Sequence, residues 1–124
     1  MADGGYRTPE GDLDPNKVAY DIERSGKAWA QLHHAATLLE KSEKAVLSQL
    51  TNAERKEDPS ISRKEAEDIA RGSDQYLDHI YAMVEARRKA NIAKVEWMAS
   101  QARFEAMRTA ESTRRAEMNA YNRR

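Results

Sequence analysis

His33 and His34 are the most obvious candidates for metal ligation or proton transfer in the 124-residue chain. Their adjacency argues against both uses. Neighbours on a helix point about 100° apart, and neither histidine has a carboxylate three or four residues away to complete a ligand set. Asp74, Asp78 and His79 fall close together, with the two carboxylates on one face, but two carboxylates alone do not define a cation site. Ser112 and Thr113 have no His or Asp beside them to act as a base. There is no phosphate-cradling glycine loop, no HExxH and no nucleophile elbow. With no cysteine there is neither thiolate chemistry nor a disulfide framework. The five methionines suit packing better than a cofactor site. These residues predict a protein that is not an enzyme, with no metal, no cofactor and no small-molecule substrate.

A different chemistry is available to a second group. Arg87, Lys94, Trp97, Phe104, Arg108 and Arg115 interleave cations with aromatic rings at helical spacing, and Arg114 adjoins them. Guanidinium and ammonium groups meet phosphates, while aromatic faces stack on unpaired bases or anchor a protein partner. These seven residues are the candidate nucleic-acid or partner surface. The run Glu85 to Lys89 reads more simply as a solvated helix face with internal ion pairs.

Long helices must position these groups. Charged residues make up 34% of the chain and aromatics 6%, with five glycines and three prolines. That composition favours helices with narrow apolar stripes over a thick core. Met1 to Leu13, with three glycines and a proline, reads as a flexible arm over 1–13. The helical domain is expected to fill 14–124. Asp14-Pro15 is a helix start, since aspartate caps free N–H groups and proline suits the first helical position. Val18, Ile22, Ser25, Trp29, Leu32, Ala36, Leu39, Glu43, Val46 and Leu50 then alternate in steps of four and three, which is a heptad seam. The first helix therefore covers about 15–55. A connector follows over about 56–61, broken at Asp58-Pro59. Ser62 and Glu65 form a capping box that opens a second helix over about 62–121. Gly72-Ser73 is its weak point, where it either kinks or ends a short helix before a long one.

The second helix carries two apolar stripes on opposite sides. Leu77, Ile80, Val84, Val95, Ala99, Ala102, Ala106, Thr113 and Ala116 form one. It is the natural mate for the first helix in an antiparallel, coiled-coil-like hairpin. The expected core is thus Ile22, Trp29, Leu32, Leu39, Val46 and Leu50 against Leu77, Ile80, Val84 and Val95. Met83, Ala90, Trp97, Phe104 and Met118 form the other stripe, which a single hairpin leaves uncovered. Antiparallel pairing of about 40 residues on about 60 also leaves Arg103 to Arg124 overhanging by about 30 Å. A lone helix of that length is marginal in water. Spare stripe and overhang together predict a homo-oligomer, dimer or higher.

The net charge is zero but polarised. Residues 1–84 carry eleven Lys/Arg against sixteen Asp/Glu, and residues 85–124 carry ten against five. A basic C-terminal part of this kind meets polyanions or pairs head to tail with an acidic half. No stretch is apolar enough to span a bilayer, and no apolar segment follows the first five residues as a secretory signal requires. The expected compartment is the cytoplasm.

The run Arg103 to Met118, RFEAMRTAESTRRAEM, resembles the ending of small phage-encoded helical proteins of the early recombination and replication region. The likeness extends in architecture over about 16–120. It implies an accessory protein in the host cytoplasm that binds single-stranded DNA, a DNA-recombination protein, or both. The alternative from the residues themselves is a protein-interaction module, such as an inhibitor of a host defence or polymerase complex, or an assembly scaffold.

Overall fold

The computed structural model describes residues 14–123. The expected arm over 1–13 lies outside the described residues. Among the described residues there are three helices: α1 over Pro15–Glu57, α2 over Arg63–Arg71 and α3 over Asp74–Asn122. No strand occurs among the described residues. The fold is all-α, and α1 and α3 form an antiparallel helical hairpin.

The sequence signals account for the breaks. Asp14 accepts from the Asn16 N–H at 3.0 Å and caps α1. After α1, the Asp58 carboxylate turns the chain by accepting from the Ser60 N–H at 3.1 Å. Ser62 Oγ accepts from the Glu65 N–H at 3.1 Å, the expected N-cap of α2. At Gly72 the second of the two anticipated outcomes occurs: a short helix ends and a long one begins. Gly72 has φ −91° and ψ 0°, an ordinary right-handed conformation, so the break does not depend on glycine's special freedom. Ser73 makes the restart. Its hydroxyl donates to the Ala70 carbonyl at 2.7 Å and accepts from the Tyr76 N–H at 3.3 Å, which closes α2 and caps α3 together.

Packing divides the chain into two compact units, one of Ala30–Ile92 and one of residues up to Trp29 with those from Ala93 onward. In the 30–92 unit, Tyr76 of α3 meets Glu43 of α1, and Arg87 meets Glu40. In the other, Ser100 meets Ser25 and Trp97 meets Trp29. Numbers rise along one helix as they fall along the other, which fixes the antiparallel sense in each unit.

The α1 seam is buried or half-buried at each of its ten positions, Ile22, Trp29, Leu32, Leu39, Val46 and Leu50 among them. On α3 the covered positions run Tyr76, His79, Met83, Ala86, Ala90, Ala93, Trp97, Ser100, Phe104, Met107 and Glu111, in strict steps of three and four. This series includes Met83, Ala90, Trp97 and Phe104 of the stripe expected to be free, whereas Met118 of that stripe is exposed. Leu77, Val84 and Val95, expected in the core, are instead 43%, 62% and 65% exposed, and Ile80 is half-buried at the edge. Ala99, Ala102, Ala106, Thr113 and Ala116 are exposed as well.

The covered stripe sets large side chains, Tyr76, Met83, Trp97, Phe104 and Met107, between small ones. The small ones include Ala90 at 0% exposure, Ala93 at 6% and Ser100 at 4%. Large residues on one helix interdigitate best with small ones on the other. No large side chain is fully buried among the described residues. α2 contributes Ala66 and Ala70, both fully buried.

The overhang is shorter than lengths alone imply. α2 and its flanking turns take up residues that simple pairing lays along α1. Covered positions on α3 accordingly continue to Met107 and Glu111, and only Ser112 to Arg123 are exposed throughout.

Candidate interaction surfaces

The 30–92 unit holds a buried-edge polar cluster centred on Arg87. Its Nε and Nη2 donate to the two Glu40 carboxylate oxygens, each at 2.8 Å. Nη2 also donates to Thr37 Oγ1 at 3.3 Å, and Nη1 lies 2.9 Å from His33 Nδ1. A two-pronged guanidinium–carboxylate pair with both partners partly covered is the strongest form of such contacts. The bonded Arg87 guanidinium holds the Glu40 carboxyl below the ordinary glutamate value, and Glu40 in turn raises Arg87. Beside this cluster the Tyr76 hydroxyl donates to Glu43 at 2.7 Å. That bond, helped by burial, pushes the phenol upward. His79 Nε2 sits 2.9 Å from the Leu39 carbonyl.

The Glu40 shift has a signed consequence. A carboxyl depressed on folding adds stability above its ordinary value of 4.5, and that stability is lost as pH falls through the folded value. Glu40→Gln is therefore expected to flatten the loss of stability between neutral pH and pH about 3. Urea unfolding of both proteins at the two pH values checks it. An unchanged slope would mean that the Arg87 pair does not persist in solution.

In the other unit the Trp29 and Trp97 rings stack, with centroids 5.2 Å apart and planes 12° from parallel. Gly26 makes room for them. A methyl group at position 26 would meet Trp97 Nε1 at 3.0 Å and two ring carbons at 3.4 Å. Glycine inside a helix otherwise costs about 1 kcal/mol against alanine, so close approach is its reason here. One turn away, Ser25 Oγ lies 3.4 Å from Ser100 Oγ, and Arg103 Nη2 donates to Ser100 at 3.2 Å.

These contacts sort the seven residues expected to bind nucleic acid or a partner. Arg87 and Trp97 are spent inside the hairpin. Phe104 is half-buried, with the Arg108 guanidinium 5.8 Å from its ring centre. Arg108 also lies 3.6 Å from Glu105, and Arg114 pairs with Glu111 at 2.8 Å. Lys94 and Arg115 are exposed. The seven therefore do not form one free surface. Sequence reasoning missed Gly26, Glu40 and Tyr76. Glu43 and Ser25, the two polar interruptions of the α1 seam, were the signal that could have found their partners.

Large apolar side chains are exposed at Tyr20 and Leu38 of α1, at Ile69 of α2, and along the outward side of α3. In the 30–92 unit that side of α3 comprises Leu77, Tyr81 at 73% exposure and Val84. In the other unit it comprises Val95 and Met98, the latter 54% exposed, with Ala99, Ala102 and Ala106. Among the described residues there is no group of three or more potential metal ligands. Among the described residues no helix is long and apolar enough to cross a membrane.

Comparison with known proteins adds no family. No family model, curated protein or solved structure matches this chain. Its surfaces are therefore interpreted from their own chemistry.

Proposed function

We propose that this chain is a non-catalytic binding protein whose working surface is the outward side of α3 and whose partners are proteins. One observation carries the reading. Large apolar side chains of α3 face solvent in each unit: Leu77, Tyr81 and Val84 in one, Val95 and Met98 in the other. An exposed Leu77, Tyr81 and Val84 on about two turns of helix form an apolar patch of the kind that marks interaction sites, and tyrosine is favoured at protein interfaces. In the setting implied by the C-terminal run, the partner is a component of a phage recombination or replication assembly in the host cytoplasm. The same surface would equally serve an inhibitor of a host complex or a scaffold.

A second reading, binding of single-stranded DNA, is favoured by the Phe104–Arg108 pair and the exposed Lys94 and Arg115. It has lost Trp97 and Arg87 as free groups, so it ranks below the first.

A photo-crosslinking residue placed at Tyr81, with a control at buried Ala90, separates the two in cells that produce the protein. Protein adducts that form at position 81, survive nuclease and fail to form at position 90 are the expected result. Adducts destroyed by nuclease would move the function to nucleic acid. No adduct at position 81 would refute the surface. Retention on a single-stranded oligonucleotide should be tested alongside at low salt, since phosphate contacts weaken steeply as salt rises.

A further inference from the structure

We propose that two copies of this chain pair α3 against α3 in antiparallel sense, through the outward side of the segment from Ala93 to Ala110. The dyad passes between Ala99 and Ala102. This rests on the outward side of α3 being the working surface, and it names the partner for that part of it.

The first argument is the surface itself. Val95, Ala99, Ala102 and Ala106 follow one another in steps of four, three and four, and all are exposed. Val95 and Met98 supply the large apolar groups. Such spacing presents a continuous seam to a second helix, and its alanines allow the two axes to approach closely.

The second argument is charge, and it selects the occupant. Several charged groups of α3 pair within the chain: Arg87 with Glu40, Arg88 with Glu85, Arg108 with Glu105 and Arg114 with Glu111. Glu96 and Arg103 form no ion pair among the described residues. Both are exposed, and Arg103 donates to the Ser100 hydroxyl. They stand one heptad apart, seven residues, on the same flank of the seam and carry opposite signs.

In an antiparallel pair, like flanks face each other. Layering Val95 on Ala106 of the second copy, and Ala99 on Ala102 of the second copy, puts Glu96 and Arg103 of the second copy into one interlayer space. Two-fold symmetry repeats the ion pair. In a parallel pair the opposite flanks meet, Met98 falls beside Arg103, and both charges stay unmatched. The pattern is therefore self-complementary in one orientation alone.

The test uses the full chain. Light scattering across roughly the micromolar-to-millimolar range should take the mass from 14.1 kDa toward twice that value. Ala102→Glu, at an exposed position, should hold it at the monomer mass with unchanged helical circular dichroism. Glu96→Arg and Arg103→Glu should each weaken pairing roughly tenfold, and the double exchange should restore it.

Orientation is read by disulfides, since the chain has no cysteine of its own. Val95→Cys chains mixed with Ala106→Cys chains should cross-link to each other. Neither should cross-link alone, because the antiparallel register sets two copies of position 95 about 16 Å apart along the axis.

Self-cross-linking of each single-cysteine chain would overturn the antiparallel arrangement. A monomer mass at every concentration would overturn the pairing altogether. If position 81 still captured another protein in that case, the surface would stand as a docking site and only the second copy would be excluded. If it captured nothing, both readings would fall.

Discussion

Trp97→Ala is expected to lower the unfolding free energy by about 2–3 kcal/mol, and Trp29→Ala to do nearly the same. Loss of a fully buried tryptophan typically costs about 3–5 kcal/mol. Both rings here are half-buried, which lowers the figure. Stacking adds about 0.5–1.5 kcal/mol beyond area for an aromatic pair. The two substitutions should therefore be less than additive, with a coupling of about 1 kcal/mol in a double-mutant cycle. The near-ultraviolet circular dichroism of the stacked indoles should vanish in either single variant. The sequence pattern alone assigns the rings different duties, Trp29 to the hairpin and Trp97 to a partner. Equal destabilisation with a positive coupling would establish the shared duty, and an unperturbed Trp97→Ala protein would refute the stack.

Ala90→Leu should destabilise the hairpin by about 1–3 kcal/mol, the usual cost of forcing extra methylenes into a filled contact. Ala90 is fully buried, as is Ala36 of α1 in the same unit. Close helix approach leaves no room for an isobutyl group. Val84→Ser, by contrast, should fall within about 0.5 kcal/mol of the parent, as exposed substitutions do. Urea denaturation of both variants decides which side of α3 faces α1. The opposite ranking would restore Leu77, Val84 and Val95 to the core.

Much of this architecture was legible. The α1 seam follows from steps of four and three between Val18 and Leu50. The connector follows from Asp58-Pro59, the α2 cap from Ser62, and the restart from Ser73. The facing of α3 is not legible from residue size, because Ala99, Ala102 and Ala106 on one stripe permit close helix approach as readily as Ala90, Ala93 and Ser100 on the other. Both stripes have the same period, so periodicity could not choose between them.

Polar complementarity could have chosen. Ser25 and Glu43 interrupt the α1 seam and need hydrogen-bonding partners when covered. The stripe bearing Tyr76 supplies the partner of Glu43, while the Ser25 hydroxyl donates to the Asp21 carbonyl of its own helix at 2.7 Å and lies 3.4 Å from Ser100 Oγ. The candidate site was less legible for the same reason. Arg87 and Trp97 look like free binding groups until Glu40 and Gly26 are known to face them, and neither pairing leaves a local sequence signature.

The alanine lining of the hairpin also governs how it responds to temperature. Small side chains release little apolar area to water on unfolding, and it is this area that dominates the unfolding heat capacity. A chain built this way has a broad, weakly curved free-energy profile rather than a sharp optimum. Chilling removes less of its stability than it would from a hairpin with leucines on both sides of the contact.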